Sequence, residues 1–214
     1  MSLERTVMRE QIKELIIRRI LDGSYKPGER IVELQLVHEL QVSQAPVREA
    51  LRDLQAMRFI DTEPYKGARV RALSRAELAE SYPVRAMLEE LAGQLAAPRA
   101  DAELLGRLGA ELQSMRTAAR RHDQHALLMA DARFHELIVQ TAGNSVLLDT
   151  WSSLRIEAFT LVSMVTSNLD LVAIADAHLP ILDALRGGDA HLTGKVMREH
   201  IATFADHLLT GVTT

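Results

Sequence analysis

Apolar residues recur at three- and four-residue spacing along most of the chain, and one short stretch breaks that rhythm. Ile12, Leu15, Ile16 and Ile20 form a single stripe, which predicts a helix over residues 6–21 that the glycines at 23 and 28 bring to an end. The amphipathic run over 31–40 predicts a second helix. Ser43 then offers an N-cap hydroxyl for a backbone N–H of the next first turn, and Pro46 falls in that turn, so a third helix starts near Gln44. Its Val47, Ala50, Leu51 and Leu54 must face a core, whereas Gln44, Arg48 and Arg52 recur every four residues on another face. The rhythm breaks at 59–62 and 68–72, which read as short strands joined across Pro64, Tyr65, Lys66 and Gly67.

Everything beyond residue 73 reads as helix. Ser74 and Glu77 form a capping-box pattern opening a helix that runs to about Ala97, with Pro83 predicting a kink between Ser81 and Val84. Five more helices are expected over 101–121, 124–142, 145–166, 170–186 and 189–209, divided at Gly143-Asn144, Asn168–Asp170 and Gly187-Gly188. With aromatic residues at 4% of the chain, Leu, Ala, Val and Met must fill that bundle. The fold class is therefore mainly α: an N-terminal winged helix-turn-helix over 1–72, a short linker over 73–75 and an all-α helical bundle over 76–214.

The charges divide with the elements. Residues 1–72 hold 13 Lys/Arg against 11 Asp/Glu, whereas 73–214 hold 12 against 18, within an overall net charge of −4. Glutamine and arginine are the side chains that pair bidentately with adenine and guanine edges in the major groove, so the Gln44/Arg48/Arg52 face is a candidate DNA reader. Lys66, Arg69 and Arg71 near the hairpin tip would supply cations to phosphates. An excess of two positive charges implies weak non-specific affinity, a strong salt dependence and a need for two copies on one site.

Inside the bundle, polar residues stand where the pattern calls for apolar ones. Leu128, Asp131, His135, Ile138 and Ala142 share one stripe, His178 falls among Ile174, Ala175, Leu182 and Leu185, and His200 sits with Val196, Met197 and Phe204. A carboxylate and three imidazoles thus point inward from three helices. A buried carboxylate is costly without a partner, and a divalent metal both neutralises it and takes up neutral histidine nitrogens. Zinc is the expected occupant on ligand type, and nickel and manganese accept the same ligands. His122, His125, His191 and His207 lack the pattern and read as surface or linker residues.

Longer motifs carry a family resemblance. P-G-E-R-I at 27–31, E-L-x-L-x-x-E-L at 33–40, V-S-x-x-P-V-R-E-A-L at 42–51 and Gly67 resemble the N-terminal domain of GntR-type bacterial transcription regulators. That resemblance implies DNA contact by Ser43, Gln44, Arg48, Lys66 and Gly67. Where such regulators usually read S-R-T-P, this chain has Gln44 and Ala45, a departure that bears on which operator it reads. V-R-x-x-L-E-x-L at 84–91, D-x-x-F-H at 131–135, A-G-N at 142–144, A-H-x-x-I-L-x-A-L around His178 and M-R-E-H-I around His200 are similar to the FCD effector domain of the FadR branch. The implication is a bundle that binds a small organic acid, in many members through a metal held by one aspartate and three histidines.

A metal with open positions would accept a carboxylate, and a fixed guanidinium would neutralise its other oxygen. Arg85 leads as that cation, against an ordinary i,i+4 surface pair with Glu89; Arg155 and Asn144 are weaker effector-binding candidates, Asn144 after Gly143 reading equally as a helix-terminus residue. The expected protein is a homodimeric repressor of double-stranded operator DNA, released by a small acid. A metal-sensing repressor and an all-helical metalloenzyme use the same ligands, although no further carboxylate base is evident on those stripes, so the expectation is a protein that is not an enzyme. There are no cysteines, hence no disulfide or thiolate chemistry. No apolar run approaches about 18 residues, and the first ten residues lack a hydrophobic signal segment, so no membrane association and a cytoplasmic location are expected.

Overall fold

Burial follows the apolar stripes. In the computed structural model, which describes residues 3–63, 67–71, 75–154 and 170–211, the chain divides into two compact units, Met1–Leu73 and Ser74–Thr214. In the first, α1 (Leu3–Leu21) sinks Ile12, Ile16, Ile17 and Ile20 against α3 (Gln44–Ala56), whose Val47, Ala50 and Leu54 are fully enclosed. Between them α2 (Glu33–Leu40) contributes Leu36, and its chain reverses at Gln41, a non-glycine residue at φ 52° whose N–H closes on the carbonyl of Val37. Ser43 occupies the N-cap of α3 as expected, but its hydroxyl makes no capping bond. The cause is local: Pro46 is the third residue of that helix, so one of the two N–H groups a capping oxygen normally takes is missing.

The wing is a three-stranded antiparallel sheet in the order β1 (Arg30–Ile31), β3 (Gly67–Val70), β2 (Ile60–Glu63). Ile60 pairs with Val70 and Thr62 with Ala68, which puts Ala68 and Val70 into the core and leaves Gly67 and Arg69 outward. The two-residue β1, pairing Arg30 with Arg69, is an addition to the expected hairpin; it is too short to show a period of two. The expected tip residues Pro64, Tyr65 and Lys66, Ala72, the linker residues Leu73 and Ser74, and 155–166 of the helix expected over 145–166, Arg155 included, lie outside the described residues, and the third linker residue, Arg75, opens α4.

In the second unit, α4 (Arg75–Ala96) runs as one helical element through Pro83, and a 3-10 turn, Ala97–Arg99, follows it. Then come α5 (Ala102–Arg120), α6 (Gln124–Thr141) and α7 (Ser145–Ser153), with Asp101, Asp123 and Asn144 each accepting an N–H of the helix they cap. The helix expected over 170–186 is two: α8 (Leu171–Asp176) and α9 (Leu179–Gly187), parted at Ala177-His178. Pro180 explains the break, because it lacks the N–H that would continue the ladder and its ring displaces the preceding turn. The last helix is α10 (Ala190–Gly211). The described residues of this unit therefore form seven α-helices where six were expected. None of the described helices is long and apolar enough to cross a membrane.

The closest packing in the bundle joins α4 to α10, and small residues permit it. A Cβ on Gly93 would lie 3.1 Å from the carbonyl oxygen of Thr193, and one on Gly194 would lie 2.9 Å from that of Glu90 and 2.5 Å from the Gln94 side chain. Gly194→Ala is therefore expected to lower stability by about 1–3 kcal/mol, since a backbone carbonyl cannot step aside cheaply. Gly106→Ala, on α5 with nothing within 4 Å of the new methyl, is expected to raise it by roughly 0.5–1 kcal/mol through helix propensity. Chemical denaturation of both variants checks the pair; shifts of the same sign would refute the close approach.

Candidate metal centre and DNA-reading face

The bundle's buried stripes bring charge inward on α4 and α6 together. On α4 the enclosed positions are Tyr82, Arg85, Ala86, Glu89, Ala92 and Ala96, a helical stripe with an ion pair in its middle. Arg85 is 4% exposed and Glu89 is 0% exposed, so this is no surface pair: the Arg85 Nε donates to Glu89 Oε1 over 2.7 Å. Glu89 also accepts from His135 Nδ1 at 2.6 Å and from Trp151 Nε1 at 3.1 Å. Three donors from α4, α6 and α7 thus satisfy one carboxylate. Burial pushes the Glu89 carboxyl up, and the neighbouring Arg85 and His135 more than offset that, holding it well below the usual carboxylate range.

His135 and Asp131 lie one turn apart on α6 and both are buried. His178, at the head of α9, donates from Nδ1 to the carbonyl of Ile174 over 3.0 Å. A carbonyl and a carboxylate can only accept, so the ring proton sits on Nδ1 in both His178 and His135. Unless a second proton is taken up, their Nε2 atoms are lone-pair acceptors, and they face each other at 3.2 Å. Asp131 Oδ1 stands 3.0 Å from the same His178 Nε2. Three acceptors directed at one another repel unless a cation lies among them, either a proton or a metal.

His200 completes the cluster. Its ring centre is 4.4 Å from that of His178 and 5.3 Å from that of His135, and one nitrogen from each of the three rings falls within 4.8 Å of the others. Burial first, then the neighbouring His178 and His135, holds the His200 imidazole well below its ordinary value, so it presents a neutral nitrogen. Asp131 is driven up by burial and drawn down more strongly by its bond to His178 and by the charges of His135 and Arg85, so it remains an anion. Metal–nitrogen bonds of ~2.0–2.1 Å fit two nitrogens at the observed separation. The three histidine nitrogens fit a divalent ion on that count, and Asp131, 3.0 Å from one of them, would bring a negative charge to it. His135 has the further support expected of a metal ligand, a carboxylate holding its second nitrogen.

A cavity of about 570 Å³ adjoins the cluster, bordered by Arg85, Asp131, His178 and His200. Arg85 therefore reaches both the Glu89 carboxylate and the cavity. Asn144, an expected effector contact, is instead the cap of α7: its carbonyl accepts from Leu147 N–H at 3.1 Å, and it is absent from the cavity's described wall. Glu89 was missed as anything beyond a partner for Arg85. Its signal was present, since a carboxylate four residues from Arg85 and three from Ala92 lies on the buried stripe. His122 and His191 are exposed, as expected of surface residues.

On the winged unit, Ser43, Gln44, Arg48 and Arg52 are all exposed along α3. Gln44, Arg48 and Arg52 border one shallow concavity together with Arg30, Glu33 and Gly67. Gly67 has φ +83°, where a side chain would be strained, and the guanidinium of Arg30 lies 3.6 Å from the place its Cβ would occupy. Arg30, which the sequence did not single out, thus lies against the wing glycine and borders the same concavity as the recognition helix. Arg48 donates from Nε to Glu33 Oε1 over 2.8 Å, and Arg69 donates to the carbonyl of Gly28 over 3.1 Å.

Comparison with known proteins gives this architecture its class. Residues 8–70 match the bacterial regulatory proteins of the gntR family and residues 80–203 match the FCD domain. The chain belongs to the GntR family, with an FCD domain following its helix-turn-helix, and is a transcriptional regulator. It is 34% identical over 202 residues, covering 94% of this chain and 89% of the relative, to a probable D-xylose utilization operon transcriptional repressor from Paenarthrobacter nicotinovorans. Against the gluconate operon transcriptional repressor of Bacillus licheniformis it is 30% identical over 189 residues, 85% of this chain and 77% of that one. Among solved structures, E. coli McbR/YncC shares the fold with a TM-score of 0.76 at 21% identity, covering 97% of this chain and 98% of that one.

Because Glu89 is the counter-charge of an enclosed guanidinium, Glu89→Ala is expected to destabilise the bundle by about 3–5 kcal/mol. Replacing both partners, Arg85→Met with Glu89→Leu, is expected to recover only part of that loss, because the buried donors on His135 and Trp151 still lack their acceptor. Denaturation of chelator-treated protein measures both, and a single variant as stable as the parent would show that the pair is not buried in solution.

Proposed function

We propose that the chain is a homodimeric, effector-responsive repressor that reads operator DNA with α3 and is controlled by a small carboxylic acid at a metal centre in its bundle. The DNA-binding part is assigned to 1–72, the linker to 73–75 and the effector part to 76–214, in a cytoplasmic protein. The observation that carries the effector half is the convergence of one ring nitrogen from each of His135, His178 and His200, with Asp131 beside His178, next to a cavity bordered by Arg85. A divalent ion there, zinc on ligand type with nickel and manganese as the other candidates, supplies positive charge to an incoming carboxylate. Asp131, His135, His178 and His200 hold it, Glu89 fixes the tautomer of His135, and the Ile174 carbonyl fixes that of His178. Arg85 orients the acid through its guanidinium. The names of the relatives, repressors of carbohydrate operons, support repression and a small-molecule signal.

On the DNA side, Gln44, Arg48 and Arg52 read base edges while Ser43, Lys66, Gly67 and Arg69 meet the backbone. A dimer doubles the contacts of a unit whose net charge is small, and places two recognition helices on two half-sites. Arg48→Ala is expected to weaken operator binding by about 1–3 kcal/mol and to relax preference at one base step. Fluorescence anisotropy against operator and scrambled duplexes checks this, and an equal loss on both would reassign Arg48 to the phosphates.

The test of the whole reading joins metal to DNA. Purified protein is expected to carry about one divalent ion per subunit, with His178→Ala and His200→Ala losing it by plasma emission. Addition of the effector acid is expected to lower operator affinity roughly 5–150-fold, a coupling of about 1–3 kcal/mol, and chelation to abolish the response while sparing DNA binding. Full metal content in both variants would remove the centre. Operator release by the ion without an acid would mark a metal sensor instead.

A further inference from the structure

The lining of the cavity beside the cluster combines charged groups with apolar ones. Ala173, Ile174 and Ala177 of α8 and the turn after it, and Val196, Ile201 and Phe204 of α10, supply its apolar part. Among the described lining residues Arg85 is the one cationic side chain, and Asp170 and Glu199 add acidic groups, both exposed to solvent. Asp170 already accepts two backbone N–H groups as the cap of α8, and Glu199 lies 3.8 Å from Lys195. Neither is placed to welcome an anion.

The charged side chains of the lining bear on how many anionic groups it takes. Among the described lining residues the one cation is Arg85, whose guanidinium is bonded to Glu89. A divalent ion held by the neighbouring cluster would be the other positive charge within reach of an incoming acid. One carboxylate can use both. A second would find no further cation among those residues, where the exposed Asp170 and Glu199 are acidic.

The wall chemistry limits the rest of the molecule. A polyhydroxylated chain loses water bonds on entry, and the alanine, isoleucine, valine and phenylalanine of the wall return none of them; among the described lining residues outside the cluster, Thr203 and the exposed Asp170 and Glu199 are the polar groups it would meet. An aryl or branched alkyl body exchanges water for apolar contact along the same wall. The volume of about 570 Å³ holds a molecule of that size.

We infer that this cavity selects a monocarboxylate with a compact apolar body, aryl or branched alkyl, over polyhydroxylated sugar acids and polycarboxylates. The inference rests on the reading of the cavity as a metal-assisted acid site, and it departs from what the gluconate and D-xylose names of the relatives would suggest for this chain.

Calorimetry on the zinc-loaded full-length protein decides it, with benzoate, 4-methylbenzoate and isovalerate set against gluconate and citrate. The apolar monoacids are expected to bind at least about tenfold more tightly than gluconate or citrate. Val196→Thr keeps the shape of the wall and adds a hydroxyl, so it is expected to narrow the gap between 4-methylbenzoate and gluconate. Tighter binding of gluconate or citrate, with chelation still abolishing it, overturns the inference and leaves the acid site standing; an unchanged ratio in Val196→Thr removes the wall as the selector. If none of the five acids binds, or if binding ignores chelation, the metal-assisted site itself fails and the inference falls with it.

Discussion

A carboxylate with no access to water has to be matched on every side, and Glu89 sets the terms for the bundle around it. Its two oxygens take bonds from Arg85, His135 and Trp151, so α4, α6 and α7 are held in one mutual arrangement. Moving any of the three helices leaves a buried charge or a buried N–H without a partner, at a cost comparable to the stability of a whole domain. The same bonds define the chemistry next door. Holding the proton of His135 on Nδ1 turns its Nε2 toward His178, and the Ile174 carbonyl does the same for His178 from the other side. The cluster's appetite for a cation is thus a consequence of how its outer hydrogen bonds are satisfied.

The break between α8 and α9 belongs to the same logic. Were residues 170–186 one helix, Pro180 would be interior and His178 would point along a regular stripe. Parting the chain at Ala177-His178 instead leaves His178 at a helix head, where its ring bonds the carbonyl one turn back and still meets Asp131. On the opposite wall, α10 can bring His200 into range because Gly93 and Gly194 let it lie almost backbone to backbone against α4. A proline and two glycines therefore shape a site in which they supply no ligand.

Much of this was legible in the chain because helical period and residue chemistry point the same way. Asp131 and His135 interrupt an apolar stripe, and no surface helix needs that; Gln44, Arg48 and Arg52 share a face because they are four apart. What escaped was whatever depends on two elements meeting. Glu89 reads as half of a solvated i,i+4 pair until α6 and α7 are laid across it. Asn144 reads both as a pocket amide and as a helix-terminus residue, and only the folded chain decides for the second, its amide oxygen taking the N–H three residues on. Strand β1 spans two residues and has no period to detect, and its Arg30 acquires a role through the nearness of Gly67. Pro180 was in plain view, but the apolar spacing on either side of it runs on as though the helix did.

On the proposed reading, Arg85 is the point at which structure and signal share a group. Its guanidinium is the counter-charge Glu89 requires, and it also borders the cavity, so an acid arriving there would draw on the same cation. Glu89 cannot give Arg85 up without losing the positive charge that offsets its burial. The acid would therefore be admitted where positive charge is in surplus, the condition a divalent ion among Asp131 and the histidines would create. An effector shifts an equilibrium only by its differential affinity for two arrangements. The Arg85–Glu89–His135–Trp151 chain offers such a difference: whatever tightened the guanidinium on a ligand would loosen its hold on Glu89, which ties α4 to α6 and α7. Coupling on that reading begins with a competition between Glu89 and the acid for one arginine.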